Sequence, residues 1–126
     1  MNRTLIIVLL MFASCQTNKE STIKIRSVDM GISTIMSVTC ENFESFFDSS
    51  QVRTKKVDQT ESVKSFLSQL SQLELDNDKR DPDTRAIIII RNATNIDTIC
   101  ADRFSLKYQD KYYIMSNDLR RDIWAD

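Results

Sequence analysis

Ala86-Ile87-Ile88-Ile89-Ile90 has no alternation of apolar and polar residues. That is the pattern of a strand covered on both faces, and therefore central in its sheet. Ahead of it runs Asp76-Asn-Asp-Lys-Arg-Asp-Pro-Asp83, polar throughout and holding the only proline, which reads as a loop. Behind it, Asn92-Ala-Thr-Asn95 supplies turn residues before Ile96-Asp-Thr-Ile-Cys100, so the two runs form an antiparallel hairpin. A third strand is expected with Phe104, Leu106 and Tyr108 on one side; Gln109-Asp110 turns the chain and Tyr112 to Met115 returns it. Ser116 or Asn117 then caps a terminal helix that brings Leu119, Ile123 and Trp124 to the core.

Upstream, Val63, Phe66, Leu67, Leu70 and Leu73 share one helical face, with Lys64, Ser65, Ser68, Ser71 and Gln72 opposite. Asp58 as N-cap with Glu61 three residues on would make a capping box for this helix. Phe43, Phe46 and Phe47 form an apolar stripe if Glu41 to Asp48 is helical. Residues 22 to 39 alternate in two phases, first Ile23 and Ile25, then Val28, Met30 and Ile32, which implies a bulge or a break near Ser27. Gln51 to Val57 reads as a short strand, and its Arg53-Thr-Lys-Lys56 as a charged edge that discourages sheet-to-sheet pairing. The fold class that follows is α+β: a curved antiparallel sheet ending in a meander, with two or three helices packed on one face.

The N-terminus carries a different message. Arg3 is the only charge before Cys15, and Leu5 to Phe12 is uninterrupted by polar residues. This basic start followed by an apolar run is the layout of an export signal. Eight residues are far short of the roughly 20 that a membrane-spanning helix needs. Phe12-Ala-Ser-Cys15 resembles the lipobox of bacterial lipoproteins, in which small residues precede a cysteine whose thiol is acylated before cleavage. Phe12 stands where that motif usually has Leu. The resemblance implies residues 1–14 as signal peptide, Cys15 as the lipidated first residue of the mature chain, and membrane attachment through three acyl chains. Gln16-Thr-Asn-Lys-Glu-Ser21 is polar and without turn or core signals, so residues 15–21 read as a flexible tether and residues 22–126 as one domain. Gln16, rather than Asp, after the cysteine favours the outer membrane by the sorting rule of enteric bacteria.

Without residues 1–14, 16 basic side chains face 18 acidic ones. That near balance excludes a nucleic-acid binder, which needs a concentrated cationic surface. Two further cysteines, Cys40 and Cys100, would meet an oxidising compartment, and a Cys40–Cys100 disulfide is expected.

Histidine is absent and Gly31 is the only glycine, so Ser-His-Asp triads, His-ligated zinc and Gly-rich phosphate loops are excluded. Asp76, Asp78, Asp81 and Asp83 offer oxygen ligands for Ca²⁺, but the EF-hand template fails: Asp81 stands where it needs Gly and Ile87 where it needs Glu. Asp29, Glu41, Glu44, Asp97 and Asp102 supply carboxylates for a glycan hydrolase, and spacing selects no pair among them. Tyr108, Tyr112, Tyr113 and Phe104 could line a groove, though strand aromatics more often pack across strands. Asp97-Thr98-Ile99 resembles the O-glycosylation acceptor of exported Bacteroidota proteins, at a mid-strand Thr98 beside Cys100 where a sugar would be hindered.

Ile23-Lys-Ile25, the cysteine-led Phe helix, Asp83-Thr-Arg85, Ile99-Cys100 and Lys111-Tyr-Tyr113 together resemble small lipoproteins of Bacteroidota over most of residues 22 to 125. The resemblance implies a fold and no activity. The expectation is a lipid-anchored envelope protein without cofactor, metal or catalytic residues, acting as a binding or accessory module for another envelope protein. Its contact surface would be the sheet face near Lys24, Arg26 and Lys55, or the meander aromatics. The alternatives are a carboxylate-based envelope glycan hydrolase and a structural or inhibitor protein.

Overall fold

The computed structural model describes residues 21–125; the expected signal segment, Cys15 and most of the expected tether lie outside them. The described chain is α+β, an open antiparallel sheet of six strands with three helices. In chain order the elements are β1 (Thr22–Ser27), α1 (Phe43–Phe46), β2 (Arg53–Val57), α2 (Thr60–Ser71), β3 (Ala86–Arg91), β4 (Ile96–Ala101), β5 (Ser105–Tyr108), β6 (Lys111–Ile114) and α3 (Asn117–Trp124). Across the sheet the order is β2-β1-β3-β4-β5-β6, so the isoleucine strand β3 lies inside it, between β1 and β4.

Because side chains alternate along a strand, β3 feeds two separate cores. Ala86, Ile88 and Ile90 join Ile23 and Ile25 of β1, Ile99 of β4 and Leu106 of β5 beneath Val63 and Phe66 of α2 and Leu119 and Ile123 of α3. Ile87, on the other face, packs with Val28, Val38, Phe43 and Phe47, and Ile89 lies against the same group half-buried. Two helices therefore cover one face, and α1 with its flanking loop covers part of the other. This double coverage is why the run from Ile87 to Ile90 carries no polar residue.

The break anticipated near Ser27 is the end of a strand. Val28 donates its N–H to Arg85 O at 2.9 Å and stays buried, after which the chain leaves the sheet. The phenylalanine helix is one turn long, with Phe43 and Phe47 buried and Phe46 half-buried. Its lead-in is pinned by Cys40, which pairs with Cys100 of β4 at a Cα–Cα distance of 5.6 Å, inside the range a disulfide allows. The strand before α2 is an edge strand, as its charges indicate.

Asp58 does not cap α2. Val57 still pairs with Ile23, so Asp58 and Gln59 are needed to turn the chain, and the helix starts at Thr60 with Gln59 as an N-cap that makes no side-chain bond. Phe104 precedes β5 rather than joining it and is 58% exposed, while Leu106 is buried. Gln109 and Asp110 make the β5–β6 turn with φ of 52° and 61°, the left-handed pair that a two-residue hairpin uses. Ser116 caps α3, its Oγ accepting from Leu119 N at 3.2 Å, and Trp124 Nε1 donates to Val28 O at 2.9 Å.

Antiparallel pairing gives the sheet two ends. Thr22, Arg91 and Ile96 share one, where the chain enters; Ser27, Ala86 and Ala101 share the other, from which the long β1–α1 loop and the β4–β5 turn project.

Candidate functional site

At the end remote from Thr22, the loop after β1 and the β4–β5 turn enclose a hollow of about 360 Å³ lined by Met30 to Thr34, Asp83, Arg85 and Asp102 to Phe104. Its floor is Arg85, buried at the start of β3. The guanidinium donates through Nε to Ile32 O at 3.1 Å, through Nη1 to Thr84 O at 3.1 Å and Asp83 Oδ1 at 2.9 Å, and through Nη2 to Thr34 Oγ1 at 3.2 Å and Asp83 Oδ2 at 3.0 Å. It also lies 5.8 Å from the Phe47 ring centroid. A planar fork with donors on every nitrogen can satisfy this many acceptors at once. One side chain thereby fastens the β1–α1 loop to the sheet.

The two acids beside it are engaged in the same way. Asp83 Oδ1 also accepts Val38 N at 2.8 Å. Asp102 Oδ1 accepts Phe104 N and Ser105 N, each at 2.7 Å, and Ser105 Oγ at 3.1 Å, while its Oδ2 accepts Asp83 N at 3.0 Å. These carboxylates tie two loops and the lead-in of β3 together. On the rim, the Arg103 guanidinium stacks over the exposed Phe104 ring at 4.6 Å, and its main-chain oxygen accepts Arg120 Nε at 2.8 Å. The opposite rim at Thr34 runs into Ile35, fully exposed, and Met36, 62% exposed. The Arg85–Asp83 ion pair and the Asp102 bonds thus tie down the base of a rim that presents apolar and aromatic surface.

The other acids named from the sequence do not converge. Asp29 Oδ1 accepts Gly31 N at 2.8 Å, and Asp97 accepts the Tyr108 hydroxyl at 3.2 Å. Glu44 takes a two-pronged bond from Arg26, which also reaches Thr54 Oγ1 at 2.9 Å. That bond, with Lys24 adding to the field, holds the Glu44 carboxyl below its ordinary range. Glu41 is exposed and borders a separate hollow beside Cys40. Burial, ahead of the bond to Asp97, pushes the Tyr108 hydroxyl upward, so it serves as a donor. In the acidic loop, Asp76 is buried and accepts Asp78 N at 3.0 Å and Arg80 Nε at 3.3 Å, while Asp81 faces Lys107 at 3.6 Å. Among the described residues no group of three acids or cysteines is placed to hold a metal.

Both contact surfaces read from the sequence need correction. Lys24 and Arg26 share a face, but Lys55 pairs with Ile25 and so points to the helix side, where Nζ donates to Asp122 O at 2.8 Å and Ala125 O at 3.3 Å beside the end of α3. The meander aromatics form no common groove, because Tyr112 and Tyr113 alternate across the sheet and Tyr113 packs on the main core. Thr98 is exposed on the half-open face opposite the helices, and β5 pairs with β4 only at Cys100 and Ala101. The hindrance expected around it is therefore absent.

Sequence reasoning missed the Arg85 clamp and the Ile35, Met36 and Phe104 rim. The Asp102-Arg-Phe-Ser105 spacing was a usable signal, since an Asp two and three residues before the amides it accepts is a turn signature. Compared with family models, with curated proteins and with solved structures, the chain matches none.

Proposed function

We propose that this chain is a lipid-anchored protein of the bacterial envelope, held through Cys15, whose domain binds a second envelope protein at the end remote from its anchor and carries out no chemistry itself. The observation that carries this reading is the placement of Ile35, Met36, Arg103 and Phe104 at the far end of the strands from Thr22, where the tether joins. Aromatic, Met and Arg side chains are the residues enriched at protein interfaces. The bonds that Arg85 makes to Ile32 and Thr34 beneath them limit the ordering cost of association. The Cys40–Cys100 pair supports export, since disulfides persist in oxidising compartments. Gln16 favours the outer membrane.

The hydrolase alternative requires two facing carboxylates with room for a sugar between them. Asp83 and Asp102 line one hollow together, and their oxygens are occupied by main-chain amides, Ser105 and Arg85. The binding reading is therefore preferred. Its test is photo-crosslinking in the native envelope, with a benzophenone amino acid replacing Phe104 in one variant and Ser65, on the outer face of α2, in another. One stoichiometric envelope protein captured from position 104 and not from 65 is the expected result. Reproducible capture of no protein from position 104 sinks the reading.

A further inference from the structure

The sheet face away from α2 and α3 is covered only in part. Phe43, Phe47 and the disulfide occupy its far half, near Ile87 and Cys100, and leave the half around the tether end open. There Lys24, Lys56 and Arg91 stand exposed around the half-buried Ile89 and line a hollow of about 400 Å³ with Thr22, Ile23 and Asp58. The strand registers set Lys24 against both Lys56 and Ile89, and Arg91 against Ile96, which is 60% exposed. Glu44, the other acid in reach of Lys24, is already paired with Arg26. A chain whose overall charge is −1 thus gathers a cationic surface with apolar residues at one corner.

We propose that this open half-face docks on the anionic phospholipid headgroups of the membrane that carries the anchor; the inference rests on the lipidation of Cys15. Chain length is the first argument. Seven residues, Cys15 to Ser21, separate the acylated sulfur from Thr22, and at about 3.5 Å each they reach no more than about 25 Å. The Thr22 end of the sheet therefore stays near the headgroups at high effective concentration. Charge is the second argument. Each cation held at an anionic membrane surface gains about a factor of five in binding, and the gain decays within a Debye length of about 8 Å. Three cations on the one face the tether brings down are placed to use it; Lys64, on α2 across the molecule, is not. The Ile35, Met36 and Phe104 rim lies at the other end of the strands from this corner.

The test is lysine footprinting of the mature lipidated protein in vesicles of phosphatidylcholine alone and of phosphatidylcholine mixed two to one with phosphatidylglycerol. Acetylation of Lys24 and Lys56 should slow severalfold in the anionic vesicles only, revert at high salt, and leave Lys64 unchanged. Arg91→Glu combined with Lys24→Glu should remove the protection of Lys56. Equal labelling in both vesicle types overturns the proposal, as does protection that ignores salt or a glycan found on Thr98, which shares this face. Flotation with the neutral vesicles keeps the two claims apart. A protein that fails to float lacks its anchor, whereas one that floats without protection has the anchor and no docking face.

Discussion

Arg85 shows how far a single side chain reaches in this fold. Its side chain is 7% exposed, and its partners span Ile32, Thr34, Asp83 and Thr84, so it joins a loop outside the sheet to the start of β3. Removing the guanidinium leaves the Ile32 and Thr84 carbonyls without their donor, while Asp83, 44% exposed, keeps the Val38 amide, at a cost of about 2 kcal/mol. Arg85→Met should therefore lower unfolding stability by about that amount in urea titrations, and a loss within error of zero would refute the clamp. Glu44 is the contrasting case, half-exposed and paired with Arg26. Its carboxyl is held below the ordinary range in the folded state, so the pair adds stability above the unfolded carboxyl range and loses it as pH falls through the lowered value. Solvent screening limits that gain to about 0.5 kcal/mol. Unfolding curves of Glu44→Gln should lose this acid-side component, and a variant with unchanged acid dependence would show the pair to be inert. Neither role is visible in sequence: Arg85 is one more basic residue before a strand, and its meaning comes from a loop some 50 residues away that folds over it.

At the scale of elements, what depends on local periodicity was legible. The uniform isoleucine run specifies a strand covered on both faces, and the helical stripe from Val63 to Leu70 specifies the face that α2 buries. Boundaries set by tertiary pairing were not. Asp58 has the chemistry of a cap, but the Ile23 and Val57 register extends β2 and displaces the helix start. Lys55 reads as a surface charge until the register puts it under the end of α3. The α1 segment is the least self-sufficient element, a single turn whose position depends on Phe43, Phe47 and the bond from Cys40 to Cys100. That disulfide spans 60 residues, and a loop of this length contributes about 4 kcal/mol in the chain-entropy model. Reduction should lower the urea midpoint accordingly, with loss of order centred on α1. Recovery of both cysteines as free thiols in an unreduced tryptic digest would contradict the pairing.

At the scale of the whole molecule, the sheet's two ends differ in surface. Thr22 lies beside a half-open cationic face, and an apolar and aromatic rim stands at the other end. The proposed anchor rests on the N-terminal segment alone, since an export signal is read by machinery that sees only local sequence. The candidate site was not legible, because Ile32 to Met36 and Asp102 to Phe104 lie some 70 residues apart and meet only once the strands have paired. Among the described residues no helix is long and apolar enough to cross a membrane, and the proposed attachment is through Cys15. The most direct test is the intact mass of the mature protein extracted from the bacterial envelope. The mature chain should begin at Cys15, with a mass exceeding that of residues 15–126 by a diacylglyceryl group and an N-linked acyl chain. A mature chain beginning elsewhere, or one with Cys15 unmodified, would contradict the lipid anchor.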